Sequence, residues 1–102
     1  MTSNGTAAHA EGYNTIANGE HSHAEGHTSH ANGEDAHAEG KGTIANGMAA
    51  HAEGYNTSAI GEYSHSEGHN TIAYGKEAHA EGESSKKCSE ELLVSDNSEN
   101  IY

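Results

Sequence analysis

From Gly5 to Gly82 a glycine returns at every seventh residue, and every second one closes the pentapeptide Ala/Ser-His-Ala/Ser-Glu-Gly. The pentapeptide occupies 8–12, 22–26, 36–40, 50–54, 64–68 and 78–82, so the repeat is fourteen residues long. Between its copies lies a looser sister, Thr/Ser-x-Ala-x-Gly, at 15–19, 29–33, 43–47, 57–61 and 71–75. A fixed period of this kind is the signature of a solenoid, in which each repeat stacks on its neighbour. Two units follow: a repeat domain over 1–82 and a non-repeat tail over 83–102.

Each pentapeptide alternates. In Ser22-His23-Ala24-Glu25-Gly26 the small residues share one face and His23 and Glu25 share the other. Alternation with period two belongs to a strand. The sister Thr15-Ile16-Ala17-Asn18-Gly19 alternates the same way, so one face of every strand enters a space too narrow for a large side chain. Two-residue links such as Tyr13-Asn14 and Glu20-His21 join the strands. The glycine before each link, Gly12, Gly19, Gly26, Gly33, Gly40, Gly47, Gly54, Gly61, Gly68, Gly75 or Gly82, is expected to supply the backbone freedom of a tight corner. Two five-residue strands and two corners make one coil, and coils stacked at about 4.8 Å hydrogen-bond strand to equivalent strand. A helix is excluded, because glycine at every seventh position costs about 1 kcal/mol each against alanine. Collagen is excluded too, since it needs glycine at every third.

The chain has no Trp, Phe or Pro, and leucine occurs only at Leu92 and Leu93. An interior of Ala, Ser, Thr and Gly buries little area per coil against a chain entropy of about 1–2 kcal/mol per residue. An outer face must therefore find a partner, and an obligate oligomer is expected. The formal charge of −12 rules against nucleic acid and anionic membrane surfaces as partners. Ten histidines make that charge sensitive to pH near 6.5. Neither a secretion signal nor a run long enough for membrane insertion is found in these residues. The lone Cys88 is expected to be an incidental free thiol.

The tandem Ser/Thr-x-Ala-x-Gly-x-x pattern over residues 3–82 resembles the head repeats of trimeric autotransporter adhesins of the YadA type. The wording Ser-His-Ala-Glu-Gly followed by Thr-Ile-Ala-Asn-Gly also resembles repeat stretches of phage tail-fibre and neck-appendage proteins. The resemblance implies an all-β, trimeric left-handed parallel β-roll with fourteen-residue coils. It further implies a homotrimer at an extracellular or virion surface. Those adhesin heads carry Val or Ile at both outward positions, whereas here one strand carries His and Glu in every copy.

That invariant set comprises His9, Glu11, His23, Glu25, His37, Glu39, His51, Glu53, His65, Glu67, His79 and Glu81. Positions that face a constant environment repeat without drift. The His-x-Glu strand is therefore expected at the interface between chains, each His donating to a Glu of a neighbouring chain. The competing arrangement puts Ile16, Ile44, Ile60 and Ile72 on the threefold axis and leaves the His-x-Glu strand outside. No cofactor is expected beyond adventitious divalent metal. His21 and His23 are the one candidate metal pair, because a set repeated in every coil is better explained by the fold. Catalysis is not expected, since it needs differently tuned groups in a concave pocket and a repeated strand presents identical ones. An ice-binding face is disfavoured, because Thr15, Thr43, Thr57 and Thr71 share the inward phase.

From Glu83 the period is lost. The tail is expected to cap the roll, with end-to-end assembly by strand addition as the alternative; Lys86/Glu90 and Lys87/Glu91 have helical spacing. The function expected is a rigid structural or adhesive module of an extracellular fibre, such as a phage tail-fibre segment contributing to host attachment through an unidentified receptor. The alternatives are a bacterial adhesin head, a self-assembling filament subunit, and a metal-binding or ice-binding solenoid.

Overall fold

A computed structural model describes residues 1–87 and the backbone of Leu92–Val94. Strands are numbered in chain order. One seven-stranded parallel sheet holds β1 (Thr2–Ser3), β3 (Ile16–Ala17), β5 (His30–Ala31), β7 (Ile44–Ala45), β9 (Ser58–Ala59), β11 (Ile72–Ala73) and β13 (Lys86–Lys87). The other holds β2 (His9–Tyr13), β4 (His23–His27), β6 (His37–Lys41), β8 (His51–Tyr55), β10 (His65–Ser66), β12 (His79–Glu81) and β14 (Leu92–Val94). The chain alternates between the sheets and forms the expected all-β parallel solenoid. Each residue from β1 to β13 pairs with the one fourteen positions on, as in His9↔His23 and Thr2↔Ile16.

The inward faces meet across a core of buried alanines, among them Ala17, Ala24, Ala31, Ala38, Ala45 and Ala52, each with no exposure. Several hydroxyls inside this space bond to the backbone at the corners, whereas those of Thr15 and Thr43 have no partner. Ser29 and Thr57 donate to the carbonyls of Glu25 (2.7 Å) and Glu53 (3.0 Å), and Ser22 donates to Gly19 (2.7 Å). Thr15, Thr43, Thr57 and Thr71 all point inward and are fully buried. Where Ser66 replaces the inward alanine, its hydroxyl lies 2.6 Å from Thr71 Oγ1 and donates to the Thr71 carbonyl, and the alanine core divides at that coil.

Three expectations need correction. The sister strands span two residues rather than five, because the amides of Asn18 and Gly19 both donate to the Ala31 carbonyl (2.9 and 3.3 Å) and the ladder stops there. The corner glycines divide into two kinds. Gly12, Gly26, Gly40, Gly54, Gly68 and Gly82 adopt positive φ near 103–113°, but Gly19, Gly33, Gly47, Gly61 and Gly75 do not. At the latter corners the left-handed residue is the second of the link, as in His21 (φ 61°) and Asp35 (φ 61°). Positive φ confined to that place, with the Ser22 amide on the Gly19 carbonyl at 3.2 Å, matches a type II turn. Gly19 is needed for another reason: a Cβ there would overlap the carbonyl of Gly33 in the next coil.

The third correction concerns the tail. Coil geometry outlasts the motif: Glu83 bridges to His69, Lys86–Lys87 pair with Ile72–Ala73, and Leu92–Val94 pair with His79–Glu81. The fourteen-residue register thus runs past the repeated wording as far as Lys87, and the pairing of Leu92–Val94 is one residue shorter. Lys86 and Lys87 lie in a strand, so the helical spacing has no structural counterpart. Cys88, Glu90, Glu91 and residues 95–102 lie outside the described residues.

Two substitutions separate the roles of stacking and turn conformation. Gly33→Ala, whose new Cβ would meet the Gly47 backbone, should lower stability by more than the ~1–3 kcal/mol of ordinary overpacking, read by thermal and urea melts. Thr28 is exposed with φ 58°, a conformation that costs a β-branched residue about 1–2 kcal/mol. Thr28→Gly should therefore raise stability by about 1 kcal/mol in the same assay.

Candidate functional site

Parallel register carries every outward residue onto its equivalent in the next coil, so the His-x-Glu pairs become two adjacent columns on one sheet. The imidazoles of His9, His23, His37, His51, His65 and His79 stack with centroids 4.7–4.9 Å apart. From His23 onward their planes lie within 6° of parallel. Beside them run Glu11, Glu25, Glu39, Glu53, Glu67 and Glu81, which with the glycine after each line an open groove of about 1370 Å³ along six coils. All twelve expected residues thus converge.

The expectation set each His against a Glu of another chain; within its own chain each also meets at least one carboxylate. His23 Nε2 lies 3.2 Å from Glu25 Oε1, and His79 Nε2 lies 3.3 Å from Glu81 Oε1 and 3.5 Å from Glu67 Oε2. Burial rises along the column, from 59% exposure of the His9 side chain to 31% at His79.

Stacking like charges at one-coil spacing is unfavourable, and it shifts the proton affinities of the carboxyls. Glu25, Glu53 and Glu81 are raised above the usual carboxylate range, chiefly by hydrogen bonds to Glu39, Glu67 and Glu67 respectively. Glu53 reaches about 7. Glu39 and Glu67 are lowered, chiefly by the hydrogen bonds they accept from Glu53 and Glu81. The direction of the shift therefore alternates along the column, raised at Glu25, Glu53 and Glu81 and lowered at Glu39 and Glu67. Burial, reinforced by the charge of His51, lowers His37 and His65 and favours their neutral form.

His21 and His23 do not converge. His21 sits at a corner with Nδ1 3.1 Å from Asp35 Oδ1, whereas His23 lies in the imidazole column. The left-handed turn at His21 removes it from the strand alternation that the His-x-His spacing assumes. Two further columns went unnoticed in the sequence. Asn4, Asn18, Asn32 and Asn46 form a side-chain amide ladder at 2.6–2.7 Å. At the corner after each pentapeptide, Tyr13 stacks on His27 at 4.9 Å and Lys41 Nζ lies 5.5 Å from the Tyr55 ring centre. Identity at fourteen-residue intervals was the available signal for the first. The second mixes residue types and gave none.

The raised carboxyl of Glu53 has a testable consequence. Its folded value of about 7 exceeds the ordinary 4.5, so the stability it contributes is complete below about 4.5 and is lost as pH rises through about 7. His51, His65, Glu39 and Glu67 face it, and the lowered His37 and His65 act in the opposite sense, contributing above their ordinary 6.5 and losing it in acid. Glu53→Gln keeps a neutral donor at every pH. Its melting temperature relative to the parent, measured in chelator, should therefore rise steadily from about pH 5 to about pH 8; a constant difference would contradict the shared proton.

The model of one protein family, the YadA head domain repeat, matches the chain twice, at residues 24–50 and 52–78, together just over half of its length. No curated protein and no solved structure matches. Each matched stretch spans two coils of the solenoid, and the second begins twenty-eight residues after the first, so the family repeat and the structural period agree. Heads of this family are structural, adhesin-type modules of surface-exposed proteins. With its parallel fourteen-residue coils, alanine interior and stacked outward columns, this chain belongs to the YadA head repeat family.

Proposed function

We propose that the chain is a rigid segment of an extracellular fibre, assembled as a homotrimer, and that the fibre is a phage tail fibre or appendage contributing to host attachment. The observation that carries this reading is the unbroken register from Thr2 to Lys87, in which every coil repeats the last and both sheets continue throughout. Such a body is a stiff spacer with repeated surfaces. Family membership supports the adhesive role, and YadA heads form trimers. The alanine interior supports assembly as well, because methyl groups worth about 0.8 kcal/mol each leave the coils in need of partners on an outer face.

In this proposal the His/Glu sheet meets the neighbouring chains, with the long groove of Glu and Gly as the seat of the contact. A second arrangement, through the sister sheet, draws support from Ile60 and Tyr74, which are 36% and 48% exposed there. End-to-end association would use the edges of the two sheets, where β2 and β14 are the terminal strands of one. The inward burial of all four repeat threonines argues against an ice-binding face.

Light scattering tests the assembly. A mass near three times 10.6 kDa at neutral pH supports the trimer, and a folded monomer overturns it. Near pH 5 the stacked imidazoles gain charge, so dissociation there places the His/Glu sheet at the interface. A trimer that persists in acid but is broken by Ile60→Glu places the sister sheet there instead. Attachment is tested separately: a trimer that binds none of a panel of bacterial envelopes is not an attachment module.

A further inference from the structure

The Nε2 atoms of His23, His37, His51, His65 and His79 are closed off from water and make no hydrogen bond. From His51 onward each faces two carboxylate oxygens, one from its own coil and one from the coil before. His51 Nε2 lies 3.6 Å from Glu53 Oε1 and 3.7 Å from Glu39 Oε2. His65 Nε2 lies 3.5 Å from Glu67 Oε1 and 3.6 Å from Glu53 Oε2. At His79 the corresponding distances are 3.3 Å to Glu81 and 3.5 Å to Glu67.

The two nitrogen-to-oxygen edges at each of these histidines approach the size of an edge of a metal coordination shell. Bonds of about 2.0–2.2 Å at octahedral to tetrahedral angles separate ligand atoms by about 2.9–3.6 Å. The nitrogen-to-oxygen edges lie at or just above that range. Two imidazoles of consecutive coils fit worse, because their rings stack at 4.7–4.9 Å and two nitrogens on one ion stand at most about 4.2 Å apart. The favoured ligand set is therefore one imidazole and two carboxylates. Imidazole with carboxylate, and no thiolate, suits zinc, cobalt or nickel; magnesium and calcium prefer oxygen alone. The formal charge of −12 concentrates cations around the chain.

We propose that the His/Glu columns bind two divalent transition-metal ions per chain, one held by His51, Glu39 and Glu53 and the other by His79, Glu67 and Glu81. The intervening triangle at His65 stays empty, because it shares Glu53 with the first site and Glu67 with the second. An ion there would also stand about one coil spacing, ~5 Å, from another dication, where the repulsion is four times that of unit charges. His23 and His37 each approach only one carboxylate closely, at 3.2 and 3.6 Å, and offer an incomplete set. Both sites are complete within one chain, so they do not depend on which sheet faces other copies.

Zinc titrated calorimetrically into the tag-free, chelator-treated full chain at about pH 7 should saturate at two equivalents per chain, with no magnesium binding. His51→Ala and His79→Ala should each remove one equivalent and the double variant both, while His21→Ala, outside the columns, should keep two. Absence of saturable zinc binding, saturation at five equivalents, or binding that neither replacement changes would overturn the proposal. If circular dichroism shows that the variants do not fold, cobalt on the unaltered chain decides: d–d bands growing to two equivalents support the sites, and their absence refutes them. Light scattering of the same samples reads the oligomer independently, so a trimer without bound zinc defeats the metal sites alone.

Discussion

Everything in this protein depends on the superposition of each residue on its equivalent fourteen positions away, at the separation set by parallel strand pairing. At that spacing backbone lies directly over backbone. The glycines of the corners stack so closely that a Cβ on Gly19 or Gly26 would overlap a carbonyl of the coil above. The same closeness between the two sheets admits nothing larger than alanine, serine or threonine at most inward positions. The seven-residue glycine rhythm and the poverty of the interior are thus two results of one packing constraint.

Superposition also dictates the surface. Any outward residue that repeats becomes a column, and a column of identical side chains is stable only if those side chains tolerate their own kind at close range. Asparagine does so by passing an amide hydrogen from Asn4 to Asn18 to Asn32 to Asn46. Histidine does so by parallel stacking. Glutamate does so with carboxyl affinities for the proton pushed in alternate directions, raised at Glu53 and lowered at Glu39 and Glu67, which ties the charge of the face to pH. A structural repeat has in this way produced coupled titration and closely spaced ligand atoms without a pocket of the enzymatic kind.

Much of this was legible beforehand. Alternation within 22–26 and 15–19 correctly separated inward from outward positions, and the burial of Thr15, Thr43, Thr57 and Thr71 follows the phase read from them. The conformational role of the glycines was only half legible. Identical spacing at Gly12 and Gly19 conceals two corners: both have a left-handed residue two places later, Asn14 and His21, but only the first also holds its glycine at positive φ. Residues as different as Ala49, Tyr63 and Glu77 fill that later place, so composition leaves no mark of it. The tail shows the converse: without the motif, Lys86–Lys87 still keep the fourteen-residue register, and Leu92–Val94 still pair with the coil before them, thirteen positions back.

The sequence by itself determined the period, the two-strand coil, the inward and outward faces and the membership of His and Glu in common columns, because strand alternation and glycine spacing are local properties of the chain. Only the tertiary structure decided who pairs with whom. It brings the His51 nitrogen between carboxylates of two coils, raises the carboxyl of Glu53 and turns His21 away from His23. These outcomes depend on ångström-scale distances between residues fourteen apart and on the hand of each corner residue, and a one-dimensional repeat contains neither.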